Sequence, residues 1–165
     1  MEFLTGVLQK ETMEISDLVR PGLEGSEVKV NGAIHTIRDM GPIAFVILRK
    51  REGLLQCVYE PGAADFSLKD LKEADTIEVS GTLALSEKAP SGIEVRMKSV
   101  RILSEPVEAM PIPVSKWKMN VSLETNLDLR PISLRNIRER AKFRIQEGIV
   151  RGFRNFLTAQ GFTEI

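Results

Sequence analysis

Residues Arg38 to Gln56, RDMGPIAFVILRKREGLLQ, decide how this chain folds. An apolar run, Ile43 to Leu48, enters a charged turn, Arg49-Lys50-Arg51-Glu52-Gly53, and a second apolar run leads from Leu54 to Tyr59. A short charged, glycine-ended link between two such runs spells a β-hairpin. Phe45 and Gln56, eleven residues apart, then lie on neighbouring strands, where a flat ring and an amide can face one ligand. An unpaired nucleobase calls for that pairing, since it offers a π-face to an aromatic side chain and a polar edge to an amide. Taken alone, Phe45 reads as core, because large apolar side chains are mostly inside.

The flanking segments extend the hairpin into a barrel. Val28, Val30, Ala33, Ile34 and Ile37 form a first strand, with Gly32 as the expected bend or bulge. Thr76 to Ser86 and Ile93 to Leu103 alternate as two further strands, and Ala64 to Ala74, with Phe66, Leu68 and Leu71 at helical intervals, reads as a short helix before them. Five strands with a helix between the third and fourth match the order of an OB barrel, whereas a small β-sandwich gives that helix no purpose. The expected fold is therefore mainly β: a five-stranded OB-fold barrel over residues 27–104. Residues 1–26 are an N-terminal extension or lid, in which Ser16-Asp17 cap a short helix from Ile15 to Val19 that Pro21-Gly22 stops. Pro106, Pro111 and Pro113 mark residues 105–134 as a linker. In residues 135–165 the spacing of Ile137, Ala141, Ile145, Ile149, Phe153 and Phe156 predicts a long amphipathic helix from Arg135 to Gln160, stopped by Gly161.

Composition narrows the function. With 42% hydrophobic and 28% charged residues the 165-residue chain is an ordinary globular protein. Its apolar runs are far shorter than a membrane span, and MEFLTGVLQKE carries an early acidic residue and no small-residue cleavage site, so a cytoplasmic location is expected. One cysteine, Cys57, and one histidine, His35, make neither a disulfide nor a metal site, and no metal ligand is assigned. A zero formal net charge argues against coating nucleic acid non-specifically. Residues 27–104 hold eleven basic and eleven acidic side chains, so binding there must rest on a few placed contacts. Residues 130–154 hold eight basic against two acidic, suited to broad phosphate attraction or to a solvated helix face. GxGxxG, GxxxxGK[ST] and HExxH are absent, there is no nucleophile elbow, and no catalytic residue is assigned.

The run Asp39 to Gln56 resembles the anticodon-binding OB-fold of the class II aminoacyl-tRNA synthetases for aspartate, asparagine and lysine. In those enzymes a phenylalanine and a glutamine at this spacing hold the central anticodon uridine, which implies those roles for Phe45 and Gln56. Arg38 is a further candidate for a base or phosphate contact. Asn126-Leu127-Asp128-Leu129-Arg130, Phe143-Arg144-Ile145 and the run FLTAQGFTEI, residues 156–165, are similar to the hinge and the first half of motif 1 in aspartyl-tRNA synthetases. The resemblance implies the N-terminal piece of a longer aspartate–tRNA ligase. Its active site, with ATP and Mg2+, would lie beyond Ile165, leaving this piece inactive and free of cofactor. It also implies a homodimer built through the motif 1 helix and tRNA as partner.

Two positions bear on which tRNA. In archaeal-type aspartyl enzymes confined to aspartate tRNA, the position matching His35 is commonly tryptophan and that matching Pro90 commonly lysine. Histidine and proline here resemble the non-discriminating enzymes, which charge both aspartate and asparagine tRNAs with aspartate and so imply a separate tRNA-dependent amidotransferase. The frame departs at Ala33, which replaces a tryptophan often seen there. Alternatives left open are an asparaginyl or lysyl enzyme, a stand-alone OB module for tRNA or single strands, and an OB domain that serves protein interaction with Phe45 in its core.

Overall fold

The computed structural model describes residues 11–165, so the first ten residues of the expected N-terminal extension lie outside it. The chain divides into two compact units between Ala109 and Met110.

The first unit is a closed barrel. Five strands, β1 (Glu27–Asp39), β2 (Ala44–Arg49), β3 (Leu54–Tyr59), β4 (Thr76–Leu85) and β5 (Ile93–Ser104), are ordered β1-β2-β3-β5-β4 around it. All neighbours are antiparallel except β3 and β5, whose parallel pairing sets Gln56 beside Glu94 and Val58 beside Arg96. Alternation drives the packing: Val28, Val30, Val46, Leu48, Leu55, Cys57, Val79 and Val95 point inward and are buried, and every second residue points out.

β1 must bend to pair with β4 along its first half and with β2 along its second. The sequence expectation put that bulge at Gly32; the register shift falls between Ile34 and Thr36 instead, so His35 is the extra residue. Gly32 serves close approach, since a Cβ there would come within 3.2 Å of the Arg49 carbonyl oxygen. Gly81 is under a harder constraint at the β4 shift, where an added Cβ would lie 2.1 Å from the Arg96 carbonyl oxygen.

Two expected helices differ. Ala64 to Ala74 forms only a 3-10 turn at Leu68–Asp70. The Ser67 hydroxyl takes the Lys69 N–H and the Asp75 carboxylate takes the Lys72 N–H, local bonds that compete with a helical ladder, and Ala74 adopts φ +74°. The N-terminal helix, α1 (Ile15–Leu18), is capped by Glu14 and Asp17 in a capping box rather than by Ser16. Ser16 instead donates its N–H and hydroxyl to Glu52 at 2.8 and 2.9 Å, Glu14 pairs with the buried Lys50 at 3.4 Å, and Ile15 and Leu18 join the barrel core. The extension is thus a plug fastened to the β2–β3 turn.

In the second unit the expected linker holds two short helices, α2 (Leu123–Asp128), capped by Ser122, and α3 (Arg130–Ser133), with proline in its first turn. The helix α4 spans Ile137–Ala159. Its cap, Asn136, accepts from the N–H groups of Arg138 and Glu139 while its amide donates to the carbonyls of Val114 and Lys116 at 2.9 and 2.7 Å. Gly161, at φ +88°, ends α4 in a Schellman motif with Phe162 N–H donating to Leu157 C=O and Gly161 N–H to Thr158 C=O.

Candidate nucleic-acid interface

The outer face of β1, β2, β3 and β5 carries side chains in rows that follow from the strand registers. Arg38, Phe45, Val58 and Arg96 make one row, and Thr36, Ile47, Gln56 and Glu94 make the next. Phe45 and Gln56 are therefore diagonal neighbours on one surface, within reach of a single base. Phe45 points away from the core formed by Val46, Leu48, Leu55 and Cys57, and its ring is half-buried. Ile47 and Val58 complete the block between them.

Arg38 is exposed at one end of the first row and Arg96 at the other, about 14 Å apart by strand spacing. Among the described residues neither has an acidic partner. Other cations of the barrel do: Lys98 bonds Glu27, Arg101 bonds Glu78 at 3.1 Å, and Lys29 bonds Glu11 at 2.9 Å. The first and last of those pairs hold the Glu27 and Glu11 carboxyls below the usual carboxylate range, chiefly through the lysine hydrogen bonds. Two unpaired guanidinium groups beside an outward aromatic are suited to phosphates either side of a stacked base.

The Gln56 amide is oriented. Its Nε2 donates to Glu94 Oε2 at 3.0 Å. Pro90 sits in the β4–β5 loop next to Ser91, whose hydroxyl donates to the Leu54 carbonyl at 3.0 Å and so ties the loop to the start of β3, two residues before Gln56. Pro90 is exposed. His35 is not at the surface: in the bulge beside Ile47 it is 7% exposed. Of the five residues singled out in sequence, Phe45, Gln56 and Arg38 share one face, Pro90 is exposed in the β4–β5 loop, and His35 is buried in the β1 bulge.

Glu94 and Arg96 were not legible as members of this surface. The alternation of β5 puts them outward, yet nothing local says that β5 lies beside β3. None of these residues lines the cleft of about 360 Å³ bounded by Ile37, Asp39, Tyr59, Leu68 and Lys69. Among the described residues no group of His, Cys, Asp and Glu is placed to hold a metal, and no helix is long and apolar enough to cross a membrane. Cys57 lies wholly inside, where burial pushes its thiol up to about 12.

Comparison with known proteins agrees with this geometry. Residues 28–103 match the OB-fold nucleic acid binding domain family. The aspartate–tRNA(Asp/Asn) ligase of Deinococcus radiodurans is 39% identical over 145 residues, covering 88% of this chain and 32% of that protein. The aspartate–tRNA(Asp/Asn) ligase of Archaeoglobus fulgidus is 35% identical over 151 residues, covering 89% and 35%. Among solved structures, asparaginyl-tRNA synthetase from Pyrococcus horikoshii superposes with a TM-score of 0.75 at 25% identity, covering 89% of this chain and 34% of that one. Aspartyl tRNA synthetase from Entamoeba histolytica shares the fold at a TM-score of 0.76 and 23% identity, covering 93% and 38%. The chain spans about a third of the length of the curated relatives it matches. Barrel and similarities thus agree: residues 28–103 match the OB-fold nucleic acid binding domain family, and most of the chain is similar to about a third of each aspartate–tRNA(Asp/Asn) ligase.

Proposed function

We propose that this barrel binds the anticodon loop of tRNA, with Phe45 stacking on the central uridine, Gln56 pairing with its edge, and Arg38 steadying the adjoining backbone. The observation that carries the reading is the diagonal placement of Phe45 and Gln56 on one outward surface of the barrel. The test is titration of aspartate anticodon stem–loops against the unaltered chain and Phe45→Ala. Equal affinity for the two folded proteins would sink the assignment.

The longer protein, on this reading, is an aspartate–tRNA ligase that uses ATP and Mg2+ in a domain of which residues 135–165 are the start, and it works as a homodimer. It charges both aspartate and asparagine tRNAs, as the names of the relatives say of those enzymes, and the product on asparagine tRNA then needs an amidotransferase. Relaxed choice accords with the third anticodon position meeting Pro90, which has no side-chain donor, and the largely covered His35. Introducing His35→Trp with Pro90→Lys should sharpen the preference for the aspartate anticodon, because lysine adds a donor at the rim and the indole narrows the surface. Charging assays in which the full-length enzyme refuses asparagine tRNA would leave a discriminating aspartyl enzyme. The likeness to an asparaginyl enzyme favours one second reading, an asparaginyl parent, and identifying the amino acid esterified to the tRNA separates the two.

A further inference from the structure

Trp117, the one tryptophan of the chain, lies in the second unit at 75% exposure, within a stretch, residues 110–120, that holds Lys116 and Lys118 and no acidic residue. We propose that Lys116, Trp117, Lys118 and Arg138 form a second nucleic-acid site, which takes an unpaired RNA strand with one base stacked on the indole and the adjoining phosphates on the three cations. The choice of RNA over DNA rests on the anticodon reading above; the site itself lies outside the barrel and does not.

The backbone under the indole is held in place. Ile112 and Val114 are buried, and the buried Asn136 donates to the carbonyls of Val114 and Lys116 at 2.9 and 2.7 Å while its Oδ1 caps α4, so the residue next to Trp117 is tied to the helix. A ring already fixed costs little ordering entropy when a ligand lands on it. The Arg138 guanidinium lies over the indole, 5.8 Å from its centroid, within cation–π range. With Arg138 against one face and the residue 75% exposed, the other face is open to a base.

Charge decides the occupant. Lys116, Lys118 and Arg138 are exposed, and among the described residues none has an acidic partner; Glu139, next to Arg138, is engaged by Lys142 at 2.7 Å. An apolar protein face would strip water from three cations and return nothing to them. An acidic peptide would pair the cations and offer the indole no flat ring. An unpaired strand brings both, a phosphate for each nucleotide and a π-face for each base.

Because Trp117 is the one tryptophan, its fluorescence reports this site directly. The 165-residue chain is titrated with hexa-adenylate and with an abasic RNA hexamer that carries the same phosphates. The adenylate should quench the tryptophan and bind about tenfold or more tighter than the abasic strand. Quenching should persist in Phe45→Ala, whose ring belongs to the barrel. Lys118→Ala should weaken the titration by about threefold and lower its salt slope by about 0.7. With a labelled strand read by anisotropy in a Phe45→Ala background, Trp117→Ala should lose about tenfold and Trp117→Phe should keep most of the affinity, both with melting unchanged. An adenylate titration that leaves the fluorescence unaltered would overturn the proposal, as would equal binding of the two hexamers, the mark of a general polyanion surface. A Phe45→Ala, Trp117→Ala double variant that binds as well as Phe45→Ala alone would do the same. The anticodon reading stands or falls separately, on Phe45→Ala against the stem–loop.

Discussion

Phe45 points away from the buried core of the barrel, and this makes it the residue whose removal should cost binding more than folding. Base–aromatic stacking contributes about 1–3 kcal/mol per base, so Phe45→Ala should weaken anticodon-loop binding by roughly one to two decades with little change in melting temperature. Arg38 and Arg96 should behave differently. If each neutralises one phosphate, replacing either by alanine should flatten the slope of log affinity against log salt by about 0.7, and should do so equally whichever base the loop carries at its centre. Cys57 carries a pH prediction. Its thiol ionises near 9 when unfolded and near 12 inside the barrel, so the folded state keeps a proton that the unfolded state releases. Stability from this group is fully present below about pH 9 and declines as pH rises toward 12; Cys57→Ala should remove that part of the alkaline decline in denaturant titrations. At neutral pH the thiol should react with disulfide reagents only at the rate of unfolding.

Strands were more legible than what joins them. Phe45 and Gln56 could be paired from the sequence because a tight hairpin fixes register locally, and the alternation of β4 and β5 gave their spans within a residue or two. The bulge at His35, the parallel β3–β5 contact and the failed helix at residues 64–74 depend on non-local packing or on competing side-chain bonds, which periodicity does not carry. The burial of His35 belongs with these, since it is the extra residue of the β1 bulge, where the alternation of the strand fails. Glycines at the barrel seam permit a sharp contrast. Gly81→Ala should destabilise by about 3 kcal/mol or more, because the new methyl meets backbone that cannot move aside. Ala74→Gly, at φ +74°, should stabilise by up to about 1 kcal/mol, since glycine bears no Cβ penalty there. Urea melts of the two variants check both signs.

At the scale of the molecule, α4 presents apolar side chains with no cover in its own unit: Ile145, Ile149, Phe153 and Phe156 are each more than 60% exposed. A stripe of that kind seldom stays open to water. A two-fold pairing of chains through it is the expected outcome, with sedimentation giving twice the 18.4 kDa chain mass and Ile149→Glu with Phe153→Glu returning the monomer. A clean monomer of the unaltered chain at high concentration, with α4 still helical, would count against it. The order in which the barrel is assembled carries a different consequence. β2 and β3 are a local hairpin that can form as soon as both have left the ribosome, so the aromatic is displayed early. The bond between Gln56 and Glu94 spans 38 residues and waits for β5, the last strand made. A nascent chain halted before β5 would own the ring but an amide free to turn, since the carboxylate that fixes its sense has not yet been made.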